Sequence, residues 1–153
     1  MHVAEIMTSA SVTESPGDTV TSAAEMMWRE QTGSLLVMEG ETLLGIITER
    51  DVVKALAKGN DPARMSVNDA MTRDVVTVPP DMTLHDAARL MAVRWIRHLP
   101  VVDDGRVVGV VSQRDLVGVF AALAPDVDAG VELPNDELVR SRRLARIEHG
   151  DLD

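Results

Sequence analysis

The sequence predicts an α+β fold made of two βαββα repeats, followed by a charged C-terminal helix. Three observations carry this expectation. Residues 3–57 align without a gap on residues 67–121, an offset of 64. Within each copy the apolar spacing changes from strand-like to helical and back. Each copy then closes on one motif, GIITERD at 45–51 and GVVSQRD at 109–115.

Identical pairs in that alignment fall at Val3, Met7, Thr8, Val12, Thr13, Pro16, Thr19, Ala23, Ala24, Met27, Leu35, Val37, Gly45, Arg50, Asp51, Val53 and Ala57. That is 17 of 55 positions, far above chance, so the structure is duplicated. The expected boundaries are 1–62 for the first copy, 63–124 for the second, and 125–153 for a linker and the last helix.

Each copy opens on a short lead-in, VAEIMT or VNDAMT, with Ser66 placed to cap the second. SVTESP and VVTVPP follow as short strands stopped by proline. Next comes an amphipathic helix. Its apolar stripe is Val20, Ala23, Ala24 and Met27 in one copy, and Leu84, Ala87, Ala88, Met91 and Trp95 in the other. A hairpin follows, turning at EGET or DDGR, where Asp104-Gly105 suits a tight turn. The motif ends the second hairpin strand and starts the final helix, which Gly59 stops in copy one.

Composition narrows the function. The chain is 45% apolar but holds only Trp28, Trp95 and Phe120 as aromatics, so the core is aliphatic with nine methionines. A net charge of −10 suits neither nucleic acid nor anionic lipid. Without cysteine there are no disulfides and no thiolate metal sites. No apolar run approaches the roughly 18 residues of a membrane span. The expectation is a cytoplasmic protein that binds neither nucleic acid nor membrane.

Thr48 and Ser112 stand where a strand passes into a helix. The first N–H groups of such a helix are unpaired and favour anions. Asp51 and Asp115, three residues on, can accept hydrogen bonds from a sugar diol. Hydroxyl and carboxylate together suit a ribose phosphate, but the same spacing also makes a capping box. On spacing alone both readings stay open, with capping favoured. The four histidines show no ligand spacing, and no phosphate loop or catalytic triad is suggested, so neither a metal nor an enzyme activity is expected.

The repeat, the IMT and AMT starts, and the segments GSLLVMEGETLLGIITERD and RHLPVVDDGRVVGVVSQRD together resemble a tandem pair of CBS domains, the Bateman module. The resemblance covers residues 1–124. It implies two copies packed with pseudo-twofold symmetry around clefts that bind adenosine nucleotides of the AMP, ADP and ATP class, with or without magnesium, and no required cofactor. It places phosphate on Thr48 and Ser112, and ribose on Asp51 and Asp115. The base slot falls to Val12 and Thr13 or Val76 and Thr77, with Ser34 and Leu35 or His98, Leu99 and Pro100. Arg97 and His98 stand where the family often supplies cations, whereas copy one has Gly33 and Ser34. Arg50 and Arg114 are further candidate cations. The module is expected to stand alone and to regulate an unknown protein in trans; the alternative is an interaction module with non-functional clefts. Apolar residues on the helices, Met26, Trp28, Val117, Val119, Phe120 and Leu123, and the family's habit, point to a homodimer.

Beyond Ala124, PDVDAGVELP reads as linker and NDELVRSRRLARIEHG as a helix capped by Asn135 and stopped by Gly150. Its apolar stripe is thin, so it is expected to dock on its own module or on a dimer mate, and the alternative, from Arg140, Arg142, Arg143 and Arg146, is docking on an acidic partner.

Overall fold

Each copy builds the helices and the hairpin that its spacing predicts, but the segments that lead into the copies cross to each other's sheet. The computed structural model describes residues 1–10 and 12–123, and the linker and helix expected over 125–153 lie outside them. A 3-10 turn at Val3–Glu5 leads into strand β1 (Thr8–Ser9). Copy one continues as β2 (Thr13–Glu14), helix α1 (Val20–Glu30), hairpin β3 (Ser34–Glu39) and β4 (Thr42–Thr48), and helix α2 (Glu49–Ala57). Copy two runs through α3 (Val67–Ala70), α4 (Leu84–Arg94), β5 (His98–Asp103), β6 (Arg106–Ser112) and α5 (Gln113–Leu123).

The helix boundaries follow local chemistry. Thr19 and Thr83 cap α1 and α4, accepting the N–H of Ser22 at 3.1 Å and of Asp86 at 3.1 Å. Gln31 and Trp95 end those helices in the left-handed conformation, so Trp95 terminates the stripe it was expected to extend. The β5–β6 turn has positive φ at both Asp104 and Gly105, as a two-residue hairpin turn requires. The strand expected in VVTVPP is reduced to one parallel bridge, Val78 to Val101, since two prolines follow directly.

The sheets show the exchange. β1 pairs antiparallel with β6, Thr8 opposite Val110, so the start of copy one belongs to the sheet of copy two. In return Thr72 pairs with Ile46 on β4, with reciprocal N–H···O bonds of 2.9 Å. Shifting either contact by 64 residues gives the other. The same holds for the bridges His2–Thr83 and Thr19–Ser66. It holds too for the bonds from Val3 N–H to Met82 O and from Val67 N–H to Asp18 O. A full set of reciprocal contacts at one offset is the mark of a pseudo-twofold axis.

The cores are exchanged likewise. Val3 joins Val78, Leu84, Ala87, Met91, Leu99, Val101, Val111 and Leu116, whereas Val67 and Met71 join Ala23, Met27, Leu35, Val37 and Ile47. The motif glycine explains how the crossing fits. A Cβ on Gly45 would meet the Thr72 carbonyl and the Met71 sulfur, each at 2.7 Å. On Gly109 it would meet the Thr8 carbonyl and the Met7 sulfur at the same distances. Only glycine admits the incoming backbone so closely.

Candidate functional site

Both motifs form capping boxes. The Thr48 N–H donates to Asp51 Oδ2 at 2.8 Å, and its hydroxyl donates to the same oxygen at 3.0 Å while accepting the Asp51 N–H at 3.4 Å. At Ser112 and Asp115 the same three bonds measure 2.8, 2.6 and 3.2 Å. Hydroxyl and carboxylate therefore hold each other at the first turn of each helix.

The two aspartates differ in their surroundings. Burial raises the Asp51 carboxyl above its ordinary range, opposed by the Thr48 bonds, the Lys54 charge and a bond from the Thr72 hydroxyl. The counterpart of Thr72 is Thr8, whose hydroxyl donates instead to the Val110 carbonyl at 3.2 Å. Among the described residues Asp115 Oδ1 accepts no hydrogen bond, so it has capacity for a diol.

Asp115 and Ser112 open into a cleft of about 910 Å³. Of the residues singled out in the sequence, Val12, Ser34, Arg97, His98, Ser112, Arg114 and Asp115 line it. The cleft thus mixes the copies, with Val12 and Ser34 of copy one beside Ser112 and Asp115 of copy two. The cause is the crossing: β1 lies along β6 and carries Thr8, Ser9, Ala10 and Val12 over the start of α5. Arg97-His98 and Gly33-Ser34 consequently line the same cleft.

Thr13, Leu35, Thr48, Arg50, Asp51, Val76, Thr77, Leu99 and Pro100 do not line this cleft. Leu35, Leu99 and Pro100 are buried, which leaves only their backbone for a ligand. Arg50 donates to the Trp95 carbonyl at 3.3 Å, across the two copies. Shifted by 64, the wall residues Thr8, Val12, Ser112 and Asp115 become Thr72, Val76, Thr48 and Asp51, which marks the counterpart position on the Asp51 side.

His98 is not the cation that the sequence suggested. Burial, then the Arg97 charge, lowers its imidazole to about 4, so it is neutral at neutral pH. Arg97 reaches Glu49 Oε2 at 3.9 Å. Sequence reasoning did not place Glu49 or Val53 at the site, and Trp28 and Val117, expected on an apolar outer face, stand exposed around the cleft with Val53. Charge spacing on α2 gave no sign that Glu49 would face the other copy. Of the helix residues expected to form an apolar outer face, Met26 and Val119 pack against the cores instead. Among the described residues no group of three or more His, Cys, Asp or Glu could hold a metal ion.

The duplicated unit has a counterpart in known proteins. A model of the CBS domain matches residues 3–58 and again 67–122. The chain belongs to the CBS-domain family. It is 37% identical over 115 residues to the CBS domain-containing protein YhcV of Bacillus subtilis, covering 74% of this chain and 81% of that protein. The crystal structure of the CBS domain pair of MJ0100, in complex with 5′-methylthioadenosine and S-adenosyl-L-methionine, superposes with a TM-score of 0.74 at 30% identity. That match covers 80% of this chain and 98% of that one. An inosine-5′-monophosphate dehydrogenase from Korarchaeum cryptofilum is 37% identical over 106 residues, 69% of this chain but only 21% of the enzyme. The likeness therefore touches a small part of that protein.

Proposed function

We propose that the protein is a non-enzymatic regulatory module that binds an adenosine nucleotide between its CBS repeats and acts in trans on another protein in the cytoplasm. The observation that carries this is the Ser112–Asp115 pair at the start of α5, opening into the 910 Å³ cleft, with Asp115 Oδ1 accepting no hydrogen bond among the described residues. In this reading Asp115 takes the ribose diol, the N–H groups of α5 with Arg97 and Arg114 take the 5′ substituent, and Val12 and the backbone of the Ser34 region flank the base. Thr48 and Asp51, with Val76, Thr77, Leu99 and Pro100, form the corresponding site on the other side of the axis. Thr13, Leu35 and Arg50 stay with the sites by position only. The adenosine derivatives bound to MJ0100 support the ligand class. No helix among the described residues is long and apolar enough to cross a membrane.

A thermal-shift screen with AMP, ADP, ATP, NAD and S-adenosylmethionine tests the ligand reading. A ligand at 100 times its dissociation constant stabilises the native state by about 2.7 kcal/mol. Asp115→Ala should then weaken binding about tenfold or more by calorimetry, since a hydrogen bond to a charged group contributes about 1.5–3 kcal/mol. Asp51→Ala should weaken it less, because burial disfavours the charged form of the Asp51 carboxyl. Equal losses would remove the ordering of the two sites. No shift with any compound would leave the capping boxes as purely structural and the protein as an interaction module.

The exposed Trp28, Val53 and Val117 further support a homodimer that covers them. Light scattering should report twice the chain mass at micromolar concentration; a monomer there removes this part of the reading.

A further inference from the structure

We propose that the cleft favours adenosine derivatives with little negative charge at the 5′ end, and that Glu49 is the residue that sets this limit. The inference rests on the adenosine reading above and adds the ligand class within it.

Five charged side chains line the cleft, namely Arg97 and Arg114 against Glu30, Glu49 and Asp115. The formal balance is two positive minus three negative, or −1, with His98 neutral. A phosphate-rich ligand finds no surplus of cations there, and the whole chain at −10 adds repulsion at longer range.

Glu49 is placed to act on the most useful of those cations. It is the first residue of α2, fixed by its N–H bond to the Gly33 carbonyl at 3.1 Å. Its Oε2 lies 3.9 Å from the Arg97 guanidinium, from one copy to the other. A Cβ on Gly33 would sit 3.3 Å from that oxygen and 3.4 Å from His98 Cε1. The glycine leaves the room in which carboxylate and imidazole lie side by side. The position equivalent to Glu49 is Gln113, which is neutral and lines the same cleft. A phosphate that bonds Arg97 must therefore approach the Glu49 carboxylate or displace it, and each further phosphate raises that cost. A neutral or cationic 5′ substituent meets no such opposition. Glu49 and Arg97 are both substantially exposed, so the bias is screened, but it must grow with ligand charge.

The test is titration calorimetry of the full chain at low ionic strength and without divalent cations, using adenosine, AMP, ADP and ATP. The second protein is Glu49→Gln, which places at 49 the amide already found at 113. In the wild type the affinity should fall from AMP through ADP to ATP. Glu49→Gln should tighten ATP by about two- to fivefold and leave adenosine unchanged. A wild type that binds ATP most tightly, or a substitution that shifts every ligand equally, overturns the role of Glu49 while the adenosine reading stands. Failure of all four compounds to bind either protein overturns both.

Discussion

In copy two, position 78 is valine and position 82 methionine, an apolar pair packed with the Leu84 and Leu99 core. The same two places in copy one hold Glu14 and Asp18. The backbone does not register the change: Asp18 accepts the Val67 N–H at 2.7 Å as Met82 accepts the Val3 N–H at 2.9 Å. The electrostatics do. Glu14 is 5% exposed and its Oε1 has no hydrogen-bond partner among the described residues. Burial, then the bond to Asp18 and the Asp18 charge, pushes its carboxyl up to about 7, and the Arg29 charge opposes this. Asp18 moves the other way, lowered first by its bond from Glu14. One fold thus accepts two chemistries at equivalent sites, and the difference teaches which features the backbone requires. The motif glycines are required, whereas the pair at 14 and 18 is free to vary.

The largest effect should come from the features that the copies share. Gly45→Ala and Gly109→Ala each push a Cβ against a backbone carbonyl that cannot swing away as a side chain would. Each should lower stability toward the upper end of the about 1–3 kcal/mol range for overpacking, measured by urea unfolding. Losses below half a kcal/mol at either site would show that the crossing is looser than the contacts indicate, and unequal losses would break the symmetry between the copies.

A smaller effect should come from the feature that separates them. The folded state holds the Glu14 proton up to about pH 7, whereas the unfolded chain releases it near 4.5. The native state then binds more protons between those values, so stability falls as pH rises through that window and levels off above it. Glu14→Gln cannot ionise. It should match the wild type near pH 4.5 and exceed it by about 1–3 kcal/mol at pH 8, less whatever Asp18 and Arg29 return. Parallel thermal-melting curves for the two proteins from pH 4.5 to 8 would show that Glu14 titrates as an ordinary carboxylate.

Much of this fold is legible in the sequence because it depends on local chemistry. The helical stripes, the Asp104-Gly105 turn and the caps at Thr48, Ser66 and Ser112 all show in spacing and residue type. The exchange of first strands does not. β1 is two residues long, too short for alternation to indicate a face, and nothing in Met7-Thr8 says which sheet accepts it. The cleft was legible only in part for the same reason, since its wall follows β1 into the other copy. Leu99 and Pro100 follow the resemblance, but both side chains are buried, Leu99 within the core of copy two. Glu14 reads as a charged residue before a turn, and only the parallel pairing with Val37 reveals it as a core position.

The 64-residue unit that repeats in the sequence is not the unit that folds. A chain cut down to its second copy would keep the β5–β6 hairpin but leave the outer edge of β6 bare, an invitation to pair with whatever strand arrives. An identical fragment could supply the missing strand only by collision. The segment over 58–66 therefore serves less as architecture than as a concentration device. It holds each copy's strand near the other's sheet at the effective concentration of a short tether, and turns an exchange between molecules into one within a molecule.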